Sequence, residues 1–328
     1  MQSWELQRKI QVTQLRIMEF YQSFDQNVYV SFSGGKDSTV LLDLVRRIYP
    51  DIEAVFIDTG LEFPEIRNFV KTHKNVTWLK PEMNFKEVVL KYGWCYPSKD
   101  VAEIVFRAKG GKDWALNKLK GLNPDDTESS FKQRYKKWAF LVDSPFIISE
   151  KCCDVMKKKP VKIYEKQNSL HPIIGTMASE GNRRKTGWKK TGCNIFEDKR
   201  PRSMPMSFWT EQDVLTYLLT YQIPYCSVYG DIIQNGDKLE TTGEKRTGCM
   251  WCPVGCHLEK EPNRFQRMEI THPKQYDYCI KSVEDHGLGL GEFLDYIGVK
   301  YTNNEIQDEN CEIISFPSKP DEFEKSAS

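Results

Sequence analysis

The feature that most limits the fold is a short polar loop between two apolar segments near the start of the chain. Val28–Phe32 is β-branched and aromatic, as expected of a buried strand. It runs directly into the loop Ser33–Ser38, and Thr39–Ile48 then repeats its leucines and valines at helical spacing. A strand, a glycine-bearing turn and a helix in immediate succession form the first half of a βαβ unit. The sequence therefore predicts an α/β protein with a parallel sheet.

The segments that follow continue the alternation of strands and helices. Ile52–Asp58 and Val76–Leu79 are predicted strands, and a helix is predicted to begin between them at Pro64. His171–Gly175 has the composition of a further strand, and Ser3–Phe24 has the apolar spacing of an amphipathic helix. We expect a twisted parallel sheet with right-handed crossovers and helices on both faces. Ligands of such sheets bind beyond the carboxyl ends of the strands, where the glycine-bearing turns lie.

The loop after the first strand has the composition of a phosphate-binding turn. Glycines let the backbone approach a ligand, and the N-terminus of the next helix adds positive potential. The lysine supplies charge and the serines supply hydroxyl donors. The alternative is a tight turn in which Asp37 or Ser38 caps the helix. The predicted nucleotide-binding residues of the loop are Ser33, Gly34, Gly35, Lys36, Asp37 and Ser38.

This loop resembles the signature of the ATP-pyrophosphatase (PP-loop) superfamily, whose members bind adenine nucleotides and often cleave ATP between the α and β phosphates. Three later stretches resemble the branch that contains phosphoadenylyl-sulfate (PAPS) and adenylyl-sulfate (APS) reductases. Asp58–Glu65 is similar to the second nucleotide turn of that branch, Gly175–Arg184 to its arginine-bearing substrate loop, and Trp209–Val214 to a helix start. The resemblance extends in order over Val28–Leu219 and implies a fold of the adenine nucleotide alpha hydrolase type.

The second turn is a candidate for contacts with the nucleoside. Asp58 stands at the carboxyl end of a predicted strand, where its carboxylate can accept from an adenine amino group or a ribose hydroxyl. Thr59 and Gly60 complete this predicted binding turn. The alternative is that Asp58 caps a helix or turn. Thr210, followed by Asp213 three residues later, is predicted to be a structural helix cap.

Arginines of the third stretch are candidates for binding phosphate or sulfate. The planar forks of Arg183 and Arg184 suit such anions, and we predict that both act in catalysis together with Lys36. The segment 183–202 holds eight Lys or Arg against two acidic residues, and it includes Trp188. This composition suits phosphate contact and base stacking in a nucleic acid. A sulfate or nucleotide loop beside a solvated face is the alternative.

The ten cysteines include a group that is typical of a metal site. Cys152 and Cys153 are adjacent, and Cys249 and Cys252 form a C-x-x-C motif. This combination resembles the [4Fe–4S] arrangement of the APS-reductase type, which implies that these four thiolates bind a cluster. Lys151 and Arg246 would offset its negative charge.

Other uses of the cysteines remain open at this point. Zinc held by Cys249, Cys252, Cys256 and His257 is one alternative, the absence of any metal is another, and Cys256 is a candidate to replace one of the four cluster ligands. Three scattered cysteines are predicted to be small buried apolar residues. They are Cys95, Cys226 and Cys279.

One departure from the family pattern bears on the reaction. Reductases of this branch carry a reactive cysteine near the C-terminus in a Glu-Cys-Gly-x-His setting. The only late cysteine here is Cys311, which lies among Asp308, Glu309 and Glu312. Neighbouring carboxylates raise the pKa of a thiol and weaken it as a nucleophile. We therefore expect Cys311 to be dispensable.

The composition of the chain and the distribution of its apolar and charged residues predict its cellular location and its division into domains. Charged residues make up 28% of the chain, the mean hydropathy is -0.58, and no apolar run approaches the ~18 residues of a membrane span. Because the first ten residues also lack the apolar stretch of a signal peptide, we expect a cytoplasmic protein with no membrane partner. We predict an α/β nucleotide-binding domain over residues 1–230 with a helical insertion at about 100–137, a Cys-rich metal-supported region over 231–302, and an acidic, flexible tail over 303–328.

Three hypotheses of function follow. The first is an enzyme that acts on ATP or a sulfonucleotide in sulfur metabolism or sulfur transfer. The second is an ATP pyrophosphatase that activates a nucleic acid for sulfur insertion, as in DNA phosphorothioation or tRNA thiolation. The third is a non-catalytic subunit that binds nucleotide or cluster. Mg²⁺ is a further candidate cofactor, and a protein that donates electrons or sulfur is an expected partner.

Overall fold

The computed structural model describes residues 1–123, 125 and 127–303. Its strands are β1 Val28–Ser31, β2 Ala54–Ile57, β3 Val76–Leu79, β4 His171–Ile174, β5 Asn194–Ile195, β6 Arg202–Ser203, β7 Ile232–Asn235 and β8 Lys238–Thr241. Within the described ranges, six of them form one sheet in the order β3-β2-β1-β4-β6-β5, and β7 pairs with β8. Neighbours in the large sheet are parallel except β5 and β6. The predicted α/β class with a mostly parallel sheet is confirmed.

The helices include those predicted near the start of the chain, from Thr39, from Pro64 and from Thr210, together with others that were not predicted. They are α1 Leu6–Ser23, α2 Lys36–Arg46, α3 Pro64–Lys71, α4 Phe85–Tyr92, α5 Lys99–Lys109, α6 Asp113–Lys120, α7 Lys132–Lys136, α8 Lys159–Asn168, α9 Asn182–Thr191, α10 Glu211–Thr220, α11 Arg264–Thr271, α12 Pro273–Ile280 and α13 Leu290–Tyr296. The helix predicted from Thr39 begins at Lys36, so the second half of the polar loop forms its first turn. The predicted cap at Thr210 is confirmed, because its side chain accepts from the backbone N–H of Asp213.

Both faces of the sheet are covered, as predicted. Successive side chains of a strand point to opposite faces. On β1 and β2, Val30 and Phe56 belong to the main core, whereas Tyr29 and Val55 belong to a smaller cluster with Val161 of α8. The helix α8 therefore covers one face, while α1 and α2 pack together on the side of the main core.

The main core continues beyond the sheet. Segment 99–136 forms α5, α6 and α7, in agreement with its predicted helical content. Phe265 and Phe293 from the C-terminal part are fully buried and join the same core as the strands. The division into domains stays a prediction, and the proposed tail beyond residue 303 lies outside the described residues. No helix in the described part of the chain is both long enough and apolar enough to cross a membrane.

Candidate functional site

The polar loop is held in place by close packing of its glycines. Gly34 has a φ of +70°, which favours glycine, and a Cβ at this position would lie 2.8 Å from Val70 Cγ2 of α3. A Cβ on Gly35 would lie 3.1 Å from the Tyr229 hydroxyl. Side chains larger than hydrogen would therefore displace the loop from α3 or from Tyr229. Packing against α3 and Tyr229 therefore fixes the backbone conformation of the loop.

The two serine hydroxyls of the loop face each other. Ser33 Oγ lies 3.0 Å from Ser38 Oγ, and the Ser33 N–H donates to Ser38 Oγ at 3.2 Å. Ser38 is buried, whereas Ser33 is exposed at the mouth of the turn. This arrangement closes the loop internally and leaves the Ser33 side chain in reach of a ligand.

Lys36 is buried at the centre of the site. Its side chain is 7% exposed, its ammonium donates to the Lys245 carbonyl at 3.0 Å, and it lies 3.1 Å from Glu211 Oε1. The backbone N–H of Lys36 donates to the Tyr229 hydroxyl at 3.1 Å. The loop, α10 and the segment near residue 245 thus meet around one cation.

A cavity of about 640 Å³ opens beside the loop, at the carboxyl ends of β1 and β4. This volume is in the usual range for a small-molecule site. Parallel strands bring the loops that follow them to the same edge of a sheet. The segments after β1 and β4 therefore both reach this cavity. Its charged and hydroxyl lining includes Ser33, Lys36, Asp37, Lys157, Arg184, Glu211 and Arg246.

Asp37 has an unusual environment in this cavity. Burial raises the pKa of its carboxyl to about 6, and Lys36 offsets part of that shift. Its Oδ1 atom is buried and has no hydrogen-bond partner within the part of the chain that the structure describes. A buried carboxylate oxygen without a partner is costly unless a ligand satisfies it. Asp37 is therefore a candidate contact for a bound cation.

The second predicted turn is engaged within the protein. Asp58 is 6% exposed, and it accepts from Arg67 Nη2 at 2.8 Å and from the Gly60 N–H at 3.3 Å. The Thr59 hydroxyl donates to Glu62 at 2.8 Å. Neither Asp58, Thr59 nor Gly60 lines the 640 Å³ cavity. These contacts describe a turn cap, and a ligand role for the three residues stays a prediction.

The two predicted arginines lie differently with respect to the cavity. Arg184 lines it and forms an ion pair with Glu180, whereas Arg183 is exposed and does not line it. Both belong to α9, which buries none of its ten residues. Trp188 of the same helix is half-buried. The structure therefore brings one of the two arginines to the predicted nucleotide site.

A second cavity of about 540 Å³ shares Arg246 and Gly248 with the first. Two of its cations are neutralised, since Arg264 pairs with Glu259 and Arg267 with Glu244. Three further cations of this lining are exposed and make no side-chain hydrogen bond or ion pair with any described residue. They are Lys245, Arg246 and Lys260.

The four predicted cluster ligands converge. Cys152, Cys153, Cys249 and Cys252 line a small cavity of about 20 Å³ between the sheet edge and the C-terminal region. Burial and, to a smaller extent, the neighbouring Cys249 raise the pKa of Cys252 to about 11. Thiols in this environment are protonated at neutral pH, so a metal that binds them must displace protons.

The convergence includes a cysteine that the sequence interpretation placed elsewhere. Cys95 is buried as predicted, but it is not merely a core residue, because it lines the same small cavity. Cys153 lowers the pKa of the Cys152 thiol, whereas the neighbouring Cys95 and burial raise it, and the net direction is upward. Cys226 and Cys279 are buried outside this group, as predicted. No spacing motif links Cys95 to the other thiols, which explains why sequence reasoning missed it.

The cations beside the thiols also differ from the predicted ones. Lys151 pairs with Glu150 at 2.8 Å, and Arg246 lines the two larger cavities instead of the thiol cavity. Cys152 raises the pKa of Cys153 and burial raises that of Cys249, and neighbouring cations, Lys99 and Lys157 respectively, offset part of each increase. Both lie on segments that reach the thiols only through the tertiary fold.

The predicted zinc alternative does not assemble. Cys256 and His257 do not line the thiol cavity, and His257 packs against the rings of Tyr96 and Trp138. Among the described residues, no group of three or more His, Cys, Asp or Glu side chains is arranged to hold a single metal ion as it stands, and this applies to the thiols of the small cavity as well as to the predicted zinc set. The thiols instead surround a shared space, a donor set of sulfur alone that fits a thiolate-ligated cluster.

Lys157 connects the two parts of the site. It lines both the 640 Å³ cavity and the thiol cavity. It belongs to the π-helical turn Asp154–Lys158, which begins directly after Cys153 and continues into α8. Such turns are frequent at functional sites because they redirect side chains. Gly248 and Cys249 make the same connection through consecutive residues, since Gly248 lines the larger cavity and Cys249 the smaller one.

Comparison with known proteins identifies the family. The sequence profile of the phosphoadenosine phosphosulfate reductase domain matches residues 27–96 and 99–255. The chain belongs to this family. The match covers the loop, the second turn, α9 and all five thiols of the small cavity.

Relatives of this PAPS reductase-domain protein are distant. It is similar to an uncharacterized protein of Methanocaldococcus jannaschii, with 26% identity over 283 residues that cover 84% of this chain and 46% of the relative. It is also similar to adenosine 5'-phosphosulfate reductase of Staphylococcus epidermidis, with 24% identity over 55% of this chain and 85% of the relative. A solved PAPS reductase of Candida auris shares 15% identity at a TM-score of 0.40, over 69% of this chain and 89% of that one. The chain spans about half the length of the M. jannaschii relatives that it matches.

Proposed function

We propose that the protein is an adenine-nucleotide-dependent enzyme of sulfur metabolism or sulfur transfer, with a [4Fe–4S] cluster beside its nucleotide. The observation that carries this proposal is the position of Lys157, which lines both the nucleotide cavity and the thiol cavity. A nucleotide phosphate or sulfate in the first cavity would lie next to the metal-binding thiols. Membership of a family that includes APS reductases supports this assignment.

The chain's own residues provide the binding of the nucleotide. Lys36 at the N-terminus of α2 lines the cavity where the phosphates would lie, and its ammonium would exchange its contacts with Glu211 and the Lys245 carbonyl for phosphate oxygens. Ser33 adds a hydroxyl donor. Arg184 of α9 also lines the cavity and can bind a second anionic group once its ion pair with Glu180 opens. ATP, APS and PAPS all present such groups to these residues.

Asp37 supports Mg²⁺ as a companion of the nucleotide. Asp37 lines the cavity, and Mg²⁺ shared between its carboxylate and the phosphates would give the unpartnered Oδ1 a ligand contact. The cation would satisfy the buried oxygen and neutralise phosphate charge.

Cys152, Cys153, Cys249 and Cys252 are the proposed ligands of the cluster. Their sulfur-only donor set and their shared cavity fit a thiolate-bound group. A bound [4Fe–4S] cluster supplies one-electron chemistry at this position. Lys99 and Lys157 would offset the negative charge of the thiolates, and Lys157 would also bring a cation to the nucleotide.

The test combines metal analysis with product analysis of the full chain. Protein purified without oxygen should contain iron and sulfide and show the broad visible absorbance of a cluster. With ATP, APS and PAPS offered in turn, release of sulfite indicates reduction, and release of pyrophosphate from ATP indicates adenylation. Iron-bearing protein that binds nucleotide but forms neither product, with or without added reductant, favours a non-catalytic subunit and contradicts the proposed enzyme.

A second candidate is an ATP pyrophosphatase that activates a nucleic acid for sulfur insertion. The specific observation is α9, an exposed helix without a buried residue, which carries several lysines and arginines and reaches the cavity through Arg184. The neighbouring 540 Å³ cavity is also positively charged, since it is lined by the exposed Lys245, Arg246 and Lys260. Such a rim suits a polyanion. Stimulation of pyrophosphate release by tRNA or DNA, with an affinity that falls as salt rises, supports this candidate over the first.

Either reaction requires electrons or sulfur from elsewhere. We propose that a donor protein supplies them. Activity that depends on a thiol reductant or a sulfide source in the assay would identify which of the two the partner delivers.

A further inference from the structure

The segment 245–249 lies between the three cavities of the site. Thr247 lines the nucleotide cavity, Arg246 and Gly248 line both larger cavities, and Cys249 lines the thiol cavity and the 540 Å³ cavity. Among the described residues, none forms a backbone-to-backbone hydrogen bond with the N–H groups of this segment. Between its two ends, the segment therefore relies on side-chain contacts for its position.

Tyr229 makes one of these contacts from a buried position. The residue is 2% exposed, and its carbonyl accepts from the Gly243 N–H at 2.8 Å, which fixes its backbone. Its hydroxyl accepts from the Lys36 N–H at 3.1 Å and shares a hydrogen bond with Thr247 Oγ1 at 2.7 Å. One oxygen atom therefore links the first turn of α2 to a residue two positions before Cys249.

The surroundings hold this hydroxyl at the nucleotide loop. A Cβ on Gly35 would lie 3.1 Å from the Tyr229 hydroxyl and 3.3 Å from Thr247 Oγ1. The other contact between loop and segment is the bond from the Lys36 ammonium to the Lys245 carbonyl. A bound phosphate would compete for that ammonium. The bond between Tyr229 and Thr247 does not use the ammonium, so it remains after the exchange.

We propose that Tyr229 is a positioning residue that couples the two parts of the site, because its hydroxyl ties the segment that carries Cys249 to the nucleotide loop. This inference rests on the proposed function, which places the nucleotide at the loop and Cys249 among the cluster ligands. Nucleotide and cluster would then change each other's affinity by the same factor, through this hydroxyl.

The first experiment probes Cys249 in the full-length protein without metal or nucleotide. Mass spectrometry follows the rate at which iodoacetamide alkylates each cysteine, and circular dichroism verifies folding. Tyr229→Phe and Thr247→Val should each raise the rate at the half-buried Cys249 at least about fivefold, because the segment opens more often once the bond is lost. The double variant should show no more than the larger single effect, since both changes remove the same bond.

Matched variants separate this bond from general damage. Thr247→Ser keeps the hydroxyl and should stay within about twofold of the wild type. Tyr217→Phe removes another buried hydroxyl that bonds α2, at Asp43, and should leave the rate at Cys249 unchanged. Alkylation of Cys279, a buried thiol outside the site, reports general loosening. An unchanged rate at Cys249 in either variant that lacks the bond overturns the proposal, and so does an equal rise at Cys279.

The second experiment measures the coupling itself. Calorimetry gives the ATP affinity of iron-loaded and of metal-free protein, and the ratio of the two is the coupling factor. This factor should differ from one by at least about fivefold in the wild type and in Thr247→Ser, and by at most about twofold in Tyr229→Phe and Thr247→Val. An equal factor in the wild type and Tyr229→Phe overturns the coupling. Wild-type protein that binds neither ATP nor iron contradicts the proposed function instead, and the alkylation rates still decide the role of Tyr229.

Discussion

The nucleotide loop and the thiol group are two sites built in opposite ways. The loop is a run of six consecutive residues whose geometry is set by the strand before it, the helix after it and two close-packed glycines. The thiols come from three segments, around Cys95, Cys152 and Cys249, which meet only in the folded protein. The first site is local, and the second is a product of the tertiary structure.

Because the two sites are built differently, substitutions in the loop and in the thiol group should have different effects. A change at the rim of the loop removes a ligand contact while the turn itself persists. Cys95 is part of the main core, and Cys152 and Cys249 pack against it. Loss of a metal ligand should therefore disturb both metal binding and packing.

The largest effect is expected at the C-x-x-C motif. Cys249→Ser or Cys252→Ser should remove most of the bound metal and loosen the C-terminal region, since both thiols line the cavity and belong to every proposed ligand set. Metal analysis and limited proteolysis check both parts of this expectation. Cys226→Ser, a buried cysteine outside the group, is the control and should do neither. Full metal content in the Cys249 variant would count decisively against this site.

The next effect is expected at the nucleotide loop. Lys36→Ala and Ser33→Ala should each weaken adenine-nucleotide binding by about 1.5–3 kcal/mol, roughly 10- to 150-fold, through loss of a charge-assisted or hydroxyl contact with phosphate. Calorimetric titration with ATP and APS measures the change. The controls are Lys71→Ala and Ser23→Ala at exposed positions away from the cavity. Unchanged affinity in both loop variants would rule out the assignment.

A smaller effect is expected from pH at Asp37. Its pKa is raised by burial from 3.8 to about 6, so its contribution to stability is fully present below about pH 4 and is lost as pH rises through about 6. Without nucleotide or Mg²⁺, the melting temperature of the wild type should therefore fall between about pH 4 and pH 6 relative to that of Asp37→Asn. Thermal unfolding of both proteins across this pH range measures the difference.

Binding should show the opposite trend. Mg²⁺ prefers the charged carboxylate, so Mg²⁺-dependent nucleotide affinity should fall more steeply below about pH 6 in the wild type than in Asp37→Asn, where only the phosphates still titrate. Parallel pH profiles for the two proteins would show that the cation binds elsewhere.

The smallest effect is expected at Cys311, which lies outside the described residues. Cys311→Ser and a truncation after Asn303 should leave activity within about twofold, because carboxylates near a thiol disfavour the thiolate. The truncation point keeps Asn303, whose side chain donates to the Gln266 carbonyl of α11 at 2.8 Å. Loss of sulfite release with intact nucleotide binding would identify Cys311 as the reactive thiol after all.

Sequence alone determined the local parts of this protein. The alternation of strands and helices, the cap at Thr210, the loop Ser33–Ser38 and the pairing of a tandem cysteine with C-x-x-C were all accessible because each depends on neighbouring residues or on a recognisable spacing. The family followed from these same motifs. The predicted roles of Asp58 and Arg183 depended on more than the motif, and the fold leaves both outside the cavity lining.

Tertiary structure decided which side chains share a space. The partnership of Arg67 with Asp58, the replacement of Lys151 by Lys99 and Lys157 beside the thiols, and the entry of Cys95 into the metal site all join residues from separate segments. The physical reason is that backbone pairing and core packing fix these distances, and neither leaves a periodic signal in the sequence. Trp94 pairs with Ile147 and Ser149 across more than fifty residues, and that pairing holds the next residue, Cys95, at the thiol cavity.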